Sequence, residues 1–268
     1  MLERPLAFIR RDVTVALSYR LSFVMQFVGI FIGVASFYFV STLMGPSSSL
    51  YLKEYGGNYF GYVLVGIALL GFQGVGMGSF SSAISSAQSQ GTLEAMLVTP
   101  TSLATILMSS SIWDFFMASL NVLVYLVVGA VVFGADIGQA NVPSALIVLL
   151  LTVVVFSGIG ILSASAIMVL KRGDPVAWVF GSVSAFLGGT LFPVAVLPEW
   201  LQAIAHLFPV YYALDAMRLA VLQGATLWEI RGDVLVLAGF ALVIVPVSMW
   251  AFKRAVRVAK TDGTLGTY

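Results

Sequence analysis

The fold of this chain is decided by apolar segments such as ALIVLLLTVVVFSGIGILSASAIMV, residues 145–169. This segment contains no Asp, Glu, Lys or Arg, and it exceeds the roughly 20 residues that an α-helix needs to cross the bilayer core. It is apolar on every side, so helical periodicity adds nothing to its interpretation. The segment predicts a transmembrane helix.

Five further segments have the same character. The six predicted spans cover residues 21–44, 59–80, 106–133, 145–169, 175–197 and 234–252. Glycine and proline interrupt the chain between most of them, as expected for turns. The predicted fold class is therefore all-α integral membrane, with six transmembrane helices forming a single transmembrane domain over residues 1–268.

The composition agrees with a membrane protein and excludes several other classes. Hydrophobic residues make up 60% of the chain and charged residues 9%, whereas soluble domains are about a quarter charged. There is no cysteine and one histidine, His206, which excludes disulfides, thiol catalysis and a Cys- or His-cluster metal site. A net charge of +1 argues against a nucleic acid partner.

The distribution of Lys and Arg predicts that both termini are cytoplasmic, because this orientation places most of the positive charge inside. The inside then carries Arg4, Arg10, Arg11, Arg20, Lys171, Arg172, Lys253, Arg254, Arg257 and Lys260, and the outside carries Lys53, Arg218 and Arg231. In this orientation residues 81–105 form a cytoplasmic loop, and residues 198–233 face outward.

Residues 1–20 mix apolar and basic side chains before the first span. Leu6, Ile9 and Val13 fall on one helical face, and the flanking basic residues are Arg4, Arg10 and Arg11. This pattern favours an amphipathic helix on the cytoplasmic interface. The alternative is an ordinary positive flank that only sets the topology.

The cytoplasmic loop is unusual because no Lys or Arg occurs between Lys53 and Lys171. Residues 91–100 predict a short helix in which Glu94 occupies the favourable first turn and Pro100 ends the helix. Its apolar face consists of Leu93, Met96 and Leu97. A helix this short must pack on something, either its own bundle or a separate soluble protein.

The outward segment before the last span is too apolar for a loop in water. Pro193, Pro198 and Pro209 cut it into pieces too short to span, with predicted helices at 198–207 and 211–222. Its aromatic and charged candidates are Trp200, Tyr211, Tyr212, Asp215 and Arg218, the last two spaced to pair. The segment forms either two helices on the outer interface or a re-entrant hairpin closing a pathway.

Asp114 is the one acid well inside a predicted span, where a carboxylate is costly and a functional candidate. Asn121 falls on the same helical face, with Tyr125 nearby. The candidate roles are pathway lining, an inter-subunit hydrogen bond or a proton site, and a purely structural hydrogen bond is equally compatible. Gln26 and Gln73 are weaker cases of the same kind.

Sequence motifs for catalysis are absent. The chain has no P-loop motif and no GxSxG or HExxH motif. We therefore expect that the chain is not an enzyme and has no catalytic residues and no metal site. Any ATP-driven work would require an ATPase on another chain.

Two motifs carry a family resemblance. The segment QGTLEAMLVTP, residues 90–100, resembles the signature loop of the ABC-2 type ABC transporter permeases. The segments FPVAVLPEW, residues 192–200, and LFPVYYALDAMRLAVLQG, residues 207–224, are similar to the stretch before that family's last span. The C-terminal residues 253–268 and the order of spans also resemble the family.

The resemblance implies a partnership. Two copies of a soluble P-loop ATP-binding subunit would bind ATP and Mg, while this chain binds no cofactor and pairs with a second copy or a close paralogue among membrane lipids. It implies that the loop between the second and third spans is a coupling helix. The matching residues here are Gly91, Thr92, Leu93, Glu94, Met96, Leu97 and Pro100.

The resemblance further implies export across a bacterial inner membrane by alternating access. The expected substrate is a lipophilic drug, a lipid or a glycan, and a permease for polysaccharide or lipid-linked glycan is the alternative within the family. A proton-coupled secondary carrier that uses Asp114 is the alternative from another class. Such carriers usually contain internal repeats, which this sequence does not show.

Overall fold

The computed structural model describes residues 20–44, 51–90, 103–170 and 174–261. These residues form eight α-helices and two short 3₁₀-helices, and they contain no strand. The α-helices are α1 Arg20–Met44, α2 Tyr59–Ser89, α3 Leu103–Val131, α4 Val142–Leu170, α5 Pro175–Leu187, α6 Glu199–Ala205, α7 Pro209–Leu222 and α8 Arg231–Thr261. The 3₁₀-helices are Lys53–Tyr55 and Val194–Val196.

Five of these helices, α1, α2, α3, α4 and α8, are long and apolar enough to cross a membrane. They coincide with five of the six predicted spans, which confirms an all-α membrane protein that crosses the bilayer several times. Helix α4 lies at the centre and packs along α2 and α8. The packing is close because a Cβ on Gly160 would lie 2.5 Å from the Gly76 carbonyl oxygen.

The predicted span over residues 175–197 does not form one continuous helix. Helix α5 begins after Asp174, whose carboxylate accepts a hydrogen bond from the Ala177 amide at 2.9 Å, and it ends at Leu187. Its 13 residues measure roughly 20 Å, less than the ~30 Å hydrocarbon core. The helix ends because Gly189 takes the left-handed conformation, with φ of 75°, and Pro193 follows shortly afterwards.

Helix α2 extends to Ser89, past the end that was predicted at residue 80. The predicted loop over 81–105 therefore begins with a helical segment. Phe80, Ile84 and Ala87 are buried against apolar residues from the ends of α4 and α8, including Phe252. This packing maintains the helix through a serine-rich sequence, and it also explains why α8 continues beyond residue 252.

Two arginine–tryptophan contacts mark the ends of the membrane-crossing part of α8. The Arg231 guanidinium lies 4.3 Å from the Trp228 ring centre, and that of Arg254 lies 5.7 Å from the Trp250 ring centre. Residues 231 and 254 are 23 positions apart, or roughly 34 Å along a helix. This separation fits the two interfaces of a bilayer, where tryptophan and arginine are favoured. We call the two ends of the bundle, along the direction of α8, the Arg218 end and the Arg257 end, after a residue that lies at each.

Candidate functional site

A cavity that contains several polar side chains lies between α1, α2 and α3. Its volume is about 490 Å³, and it adjoins a second cavity of about 280 Å³ that shares five of its lining residues. We call the two cavities together the groove. The residues lining the first cavity are Gln26, Gly71, Gly74, Val75, Gly78, Ser79, Ser82, Asp114, Met117, Ala118 and Asn121. Those that line only the second are Gly29, Ile30, Ala68, Phe72 and Tyr125.

The α2 wall of the groove is open because of its glycines. A Cβ added to Gly71, Gly74 or Gly78 would meet no atom within 4 Å. In contrast, a Cβ on Gly66 would lie 2.5 Å from the Thr190 carbonyl oxygen, and one on Gly76 would lie 3.0 Å from Phe156 Cβ. Helix α2 thus contains glycines that permit close packing and glycines that leave space.

Hydrogen-bonding groups from three helices meet in the groove. The Gln26 amide on α1 donates to the Asn121 side-chain oxygen on α3 at 3.1 Å. Asp114 lines the same cavity, two turns from Asn121. Ser79 on α2 is 6% exposed, and its hydroxyl has no hydrogen-bond partner among the described residues. The Ser79 oxygen is itself enclosed, so α2 presents a hydroxyl to the groove through the exposed Ser82 instead.

The structure places the sequence candidates Asp114, Asn121 and Tyr125 along the groove, while their roles stay predictions. Asp114 and Asn121 line the first cavity, and Asn121 and Tyr125 line the second. Gln26, the weaker candidate, joins them through its hydrogen bond. Ser79 and the open glycines were not among the residues predicted from the sequence, although the spacing of Gly71, Gly74 and Gly78 places them on one helical face.

A second polar cluster lies at the Arg218 end, where Arg218 on α7 is only 2% exposed. Its Nε donates to the Tyr62 carbonyl at 3.2 Å, and its Nη2 donates to the Gly189 and Thr190 carbonyls at 2.8 and 3.1 Å. The Tyr62 hydroxyl also donates to the Gly189 carbonyl, at 2.6 Å. The two carbonyls are available because α5 has ended just before them.

Asp215 also belongs to this cluster, but its hydrogen-bond partner is not the predicted one. The sequence spacing places it to pair with Arg218, but in the structure the Tyr55 hydroxyl donates a hydrogen bond to the Asp215 carboxylate, while Arg218 donates to backbone carbonyls. Burial, and secondly the charge of Asp215, raises the pKa of Tyr55 above its usual value. We call Tyr55, Tyr62, Asp215 and Arg218 the arginine cluster.

The predicted helices before the last span are confirmed with shifted boundaries, as α6 and α7. Pro198 immediately precedes α6, and Pro209 is the first residue of α7. Trp200 on α6 is 65% exposed, whereas α7 is inserted into the main core through side chains such as Leu214 and Met217. Helix α7 therefore packs within the bundle rather than lying flat on its surface.

The remaining residues predicted in this segment lie at the turns around these short helices. The Tyr212 hydroxyl donates to the His206 carbonyl at 3.0 Å, and the Tyr211 ring meets the His206 ring edge-on at 4.5 Å. Pro193 precedes the 3₁₀-helix Val194–Val196. These contacts fix the turn between α6 and α7.

Two sets of predicted residues lie outside the described part of the chain. The first set is the proposed coupling segment, Gly91, Thr92, Leu93, Glu94, Met96, Leu97 and Pro100. The second is the basic set of the N-terminal segment, Arg4, Arg10 and Arg11. Their roles stay predictions.

A comparison with known families identifies the class of protein. A family model described as ABC-2 family transporter protein matches residues 45–250. The chain belongs to the ABC-2 transporter family. No curated protein matches the chain. The match extends from the segment before α2 into α8. The matched region of this ABC-2 protein therefore includes the arginine cluster and the two walls of the groove that α2 and α3 form.

Family membership establishes a general role. The chain is a membrane permease subunit of the ABC type, and such permeases normally work with an ATP-binding subunit. Among the described residues, no three His, Asp or Glu side chains are grouped to hold a metal ion. The described lining of the groove contributes hydrogen-bonding groups and one carboxylate, that of Asp114.

Proposed function

We propose that this ABC-2 permease exports a lipophilic drug, lipid or glycan across a bacterial inner membrane, driven by a separate ATP-binding subunit. The observation that carries the proposal is the groove, in which polar side chains line a cavity between the long apolar helices of a transporter-family protein. Its size lies in the range of about 300–1,000 Å³ typical of small-molecule sites. Polar side chains at this depth are costly, so a transport role accounts for their presence.

The orientation in this proposal places the Arg257 end in the cytoplasm. Lys253, Arg254 and Arg257 are exposed there, in agreement with the positive-inside rule. The polar part of the groove, near Asp114, then lies closer to the cytoplasmic leaflet. The arginine cluster lies toward the outside, where it holds the short helices across the bundle.

The position of the proposed coupling segment gives the transport cycle a mechanical basis. Helix α2 ends at Ser89 and α3 begins at Leu103, so residues 91–100 connect the two helices that form most of the groove wall. In the proposed cycle, ATP binding moves this segment and changes the separation of α2 and α3. The groove would then alternate between access from inside and release outside.

The proposed complex contains two copies of the ATP-binding subunit and two permeases, the second being another copy or a close paralogue. Support for this stoichiometry comes from the family resemblance. In the same complex Arg4, Arg10 and Arg11 would place the N-terminal segment on the cytoplasmic interface.

Co-purification with a P-loop ATPase, followed by reconstitution in liposomes, tests this proposal. We expect ATPase activity that depends on the permease and ATP-driven substrate movement. Glu94→Arg should abolish both, because it reverses the charge in the coupling segment. Glu54→Arg, the same exchange at an exposed residue of the Arg218 end, is the matched control. The proposal fails if no ATPase associates or if Glu94→Arg transports normally.

The proton-coupled carrier remains a second candidate because Asp114 does line the cavity. The two candidates differ in their energy source. A carrier would transport in response to a pH gradient without ATP and would lose this activity in Asp114→Asn. The proposed exporter requires ATP in liposomes that have no pH gradient.

A further inference from the structure

The last part of α8 has two opposite faces. Phe252 and Ala255 are each 4% exposed and belong to a buried cluster with residues near the ends of α2 and α4. Lys253, Arg254 and Arg257 are exposed, and at about 100° per residue they lie on the other side of the helix. We call these three residues the basic stripe. The basic stripe faces away from the bundle.

The depth of the basic stripe follows from its neighbour Trp250. This tryptophan is 62% exposed, and the Arg254 guanidinium lies 5.7 Å from its ring centre, so both residues fit the membrane interface. Arg257 lies three residues further along α8, or roughly 4.5 Å along the helix axis. The head-group region on each side of a bilayer is about 5–7 Å thick. The basic stripe therefore lies at the level of the lipid phosphates.

The positive charges of the basic stripe are not neutralised within the described part of the protein. None of the three residues forms an ion pair with a described residue, and the acidic residue of α8, Asp233, precedes Lys253 by twenty positions. Arg257 is four residues from Lys253 and three from Arg254, so the three side chains are neighbours whose like charges repel. An anion between them relieves this repulsion and accepts their hydrogen bonds, as phosphate oxygens do from arginine and lysine.

We propose that the basic stripe binds the phosphate head groups of anionic phospholipids in the leaflet at the Arg257 end. The direction of the stripe identifies this partner. A soluble subunit approaches the Arg257 end along the axis of α8, whereas lipid head groups surround the bundle sideways, where the stripe faces. Binding itself does not depend on the proposed function. In the proposed orientation the leaflet is the cytoplasmic one, whose anionic lipids attract basic residues beside a membrane helix.

Quenching of tryptophan fluorescence by brominated lipids tests the proposal in the full-length permease. The chain has five tryptophans, and Phe at positions 113, 178, 200 and 228 leaves Trp250 as the reporter. The protein is reconstituted in mixtures of phosphatidylglycerol and phosphatidylcholine in which one lipid or the other is brominated. We expect phosphatidylglycerol to bind beside Trp250 at least about tenfold more tightly, because each basic residue near an anionic surface contributes about fivefold in affinity.

The other end of α8 provides a matched reporter. Trp228 also lies beside an arginine, with the Arg231 guanidinium 4.3 Å from its ring centre. A protein with Trp228 as its one tryptophan should prefer phosphatidylglycerol by about fivefold or less. The comparison separates the effect of the basic stripe from that of a single interfacial arginine.

Substitutions then locate the lipid. The triple variant Lys253→Gln, Arg254→Gln and Arg257→Gln should bring the preference at Trp250 close to onefold. The control variant Lys53→Gln and Arg231→Gln, at exposed residues of the Arg218 end, should leave it unchanged. If the single-tryptophan proteins do not fold, thermal unfolding in detergent gives the answer. Added phosphatidylglycerol should then raise the unfolding temperature more than phosphatidylcholine does, and the triple variant should lose this difference.

Three results would overturn the proposal. They are equal quenching by the two lipids, a preference that persists in the triple variant, and displacement of phosphatidylglycerol by millimolar inorganic phosphate, which would show a site for the free ion. If the triple variant lost an ATP-binding subunit while the wild type showed no lipid preference, the stripe would belong to that subunit instead. The lipid assay contains no ATPase, so its failure leaves the export proposal standing. Lipid selectivity without any ATP-driven transport would support the lipid site and reject the export proposal.

Discussion

The guanidinium carbon of Arg218 lies 3.4 Å from the centre of the Tyr62 ring, and its Nε donates to the Tyr62 carbonyl. The two residues are 156 positions apart in the chain, on α7 and α2. Because Nη2 also donates to Gly189 and Thr190, the same side chain connects the segment that follows α5. One buried arginine thus links three separate segments at this end of the bundle.

Replacing Arg218 by methionine should strongly destabilise the protein. The change keeps an unbranched side chain but removes the guanidinium hydrogen bonds to the carbonyls of Tyr62, Gly189 and Thr190, of which Gly189 keeps the Tyr62 hydroxyl as a donor. We expect a cost of about 3 kcal/mol or more. Arg231→Met, at an exposed arginine over Trp228, should cost about 1 kcal/mol or less. Thermal unfolding in detergent compares the two variants, and equal transition temperatures would contradict this role of Arg218.

Gly66→Ala should also destabilise the protein, because the new Cβ would lie 2.5 Å from the Thr190 carbonyl oxygen and 2.7 Å from Arg218 Nη2. We expect a loss of about 1–3 kcal/mol from the resulting strain. Gly71→Ala, five residues later in the same helix, places its methyl in open space and should be neutral or slightly stabilising. Unfolding measurements on the pair would refute the packing argument if Gly66→Ala were the more stable variant.

The long spans could be predicted from the sequence because an uncharged apolar run of sufficient length has few alternatives to a membrane helix. The break after α5 could not, because Gly188 and Gly189 lie within an equally apolar run. Hydropathy carries no information on backbone conformation. The left-handed turn at Gly189 is therefore seen only in the structure. The helical continuation of α2 to Ser89 was missed for the opposite reason, since its serines suggested a loop while Ile84 is buried against other helices.

The groove was partly predictable. Asp114 and Asn121 were identified because polar residues are rare in spans and these two share a helical face. The open glycines were not, because Gly71 and Gly66 look alike in sequence and differ only in what packs beside them. The partners of Arg218 could not be predicted for the same reason, because the sequence does not show which segments pack together. Local spacing indicated Asp215 as its partner, whereas the backbone carbonyls come from the end of α5.

Alkaline pH should weaken the contribution of Tyr55 to the stability of the folded protein. Burial, and then the nearby Asp215 charge, raises the pKa of Tyr55 in the folded protein, so its stabilising effect is complete below the unfolded value of about 10 and declines as the pH rises above it. Tyr55→Phe removes the hydrogen bond to Asp215 and should cost about 1–3 kcal/mol at neutral pH. Its unfolding temperature should fall less than that of the wild type between about pH 9 and 11.

Tyr51→Phe is the control for this experiment, because Tyr51 is exposed four residues before Tyr55. It should keep both the stability and the alkaline pH dependence of the wild type. If Tyr55→Phe and the wild type lose stability in parallel above about pH 10, titration of Tyr55 is not responsible for the loss.

The two ends of α8 should lie on opposite sides of the membrane. The chain contains no cysteine, so single cysteines can be introduced without a background reaction. Glu229 is an exposed residue next to Trp228 at one end, and Arg257 is an exposed residue three positions after Arg254 at the other. We expect Glu229→Cys to react with a membrane-impermeant maleimide in intact cells, and Arg257→Cys to react only after the cells are permeabilised. Reaction of both from outside would show that α8 does not cross the bilayer, and the reverse pattern would place the Arg257 end outside and invert the proposed direction of the groove.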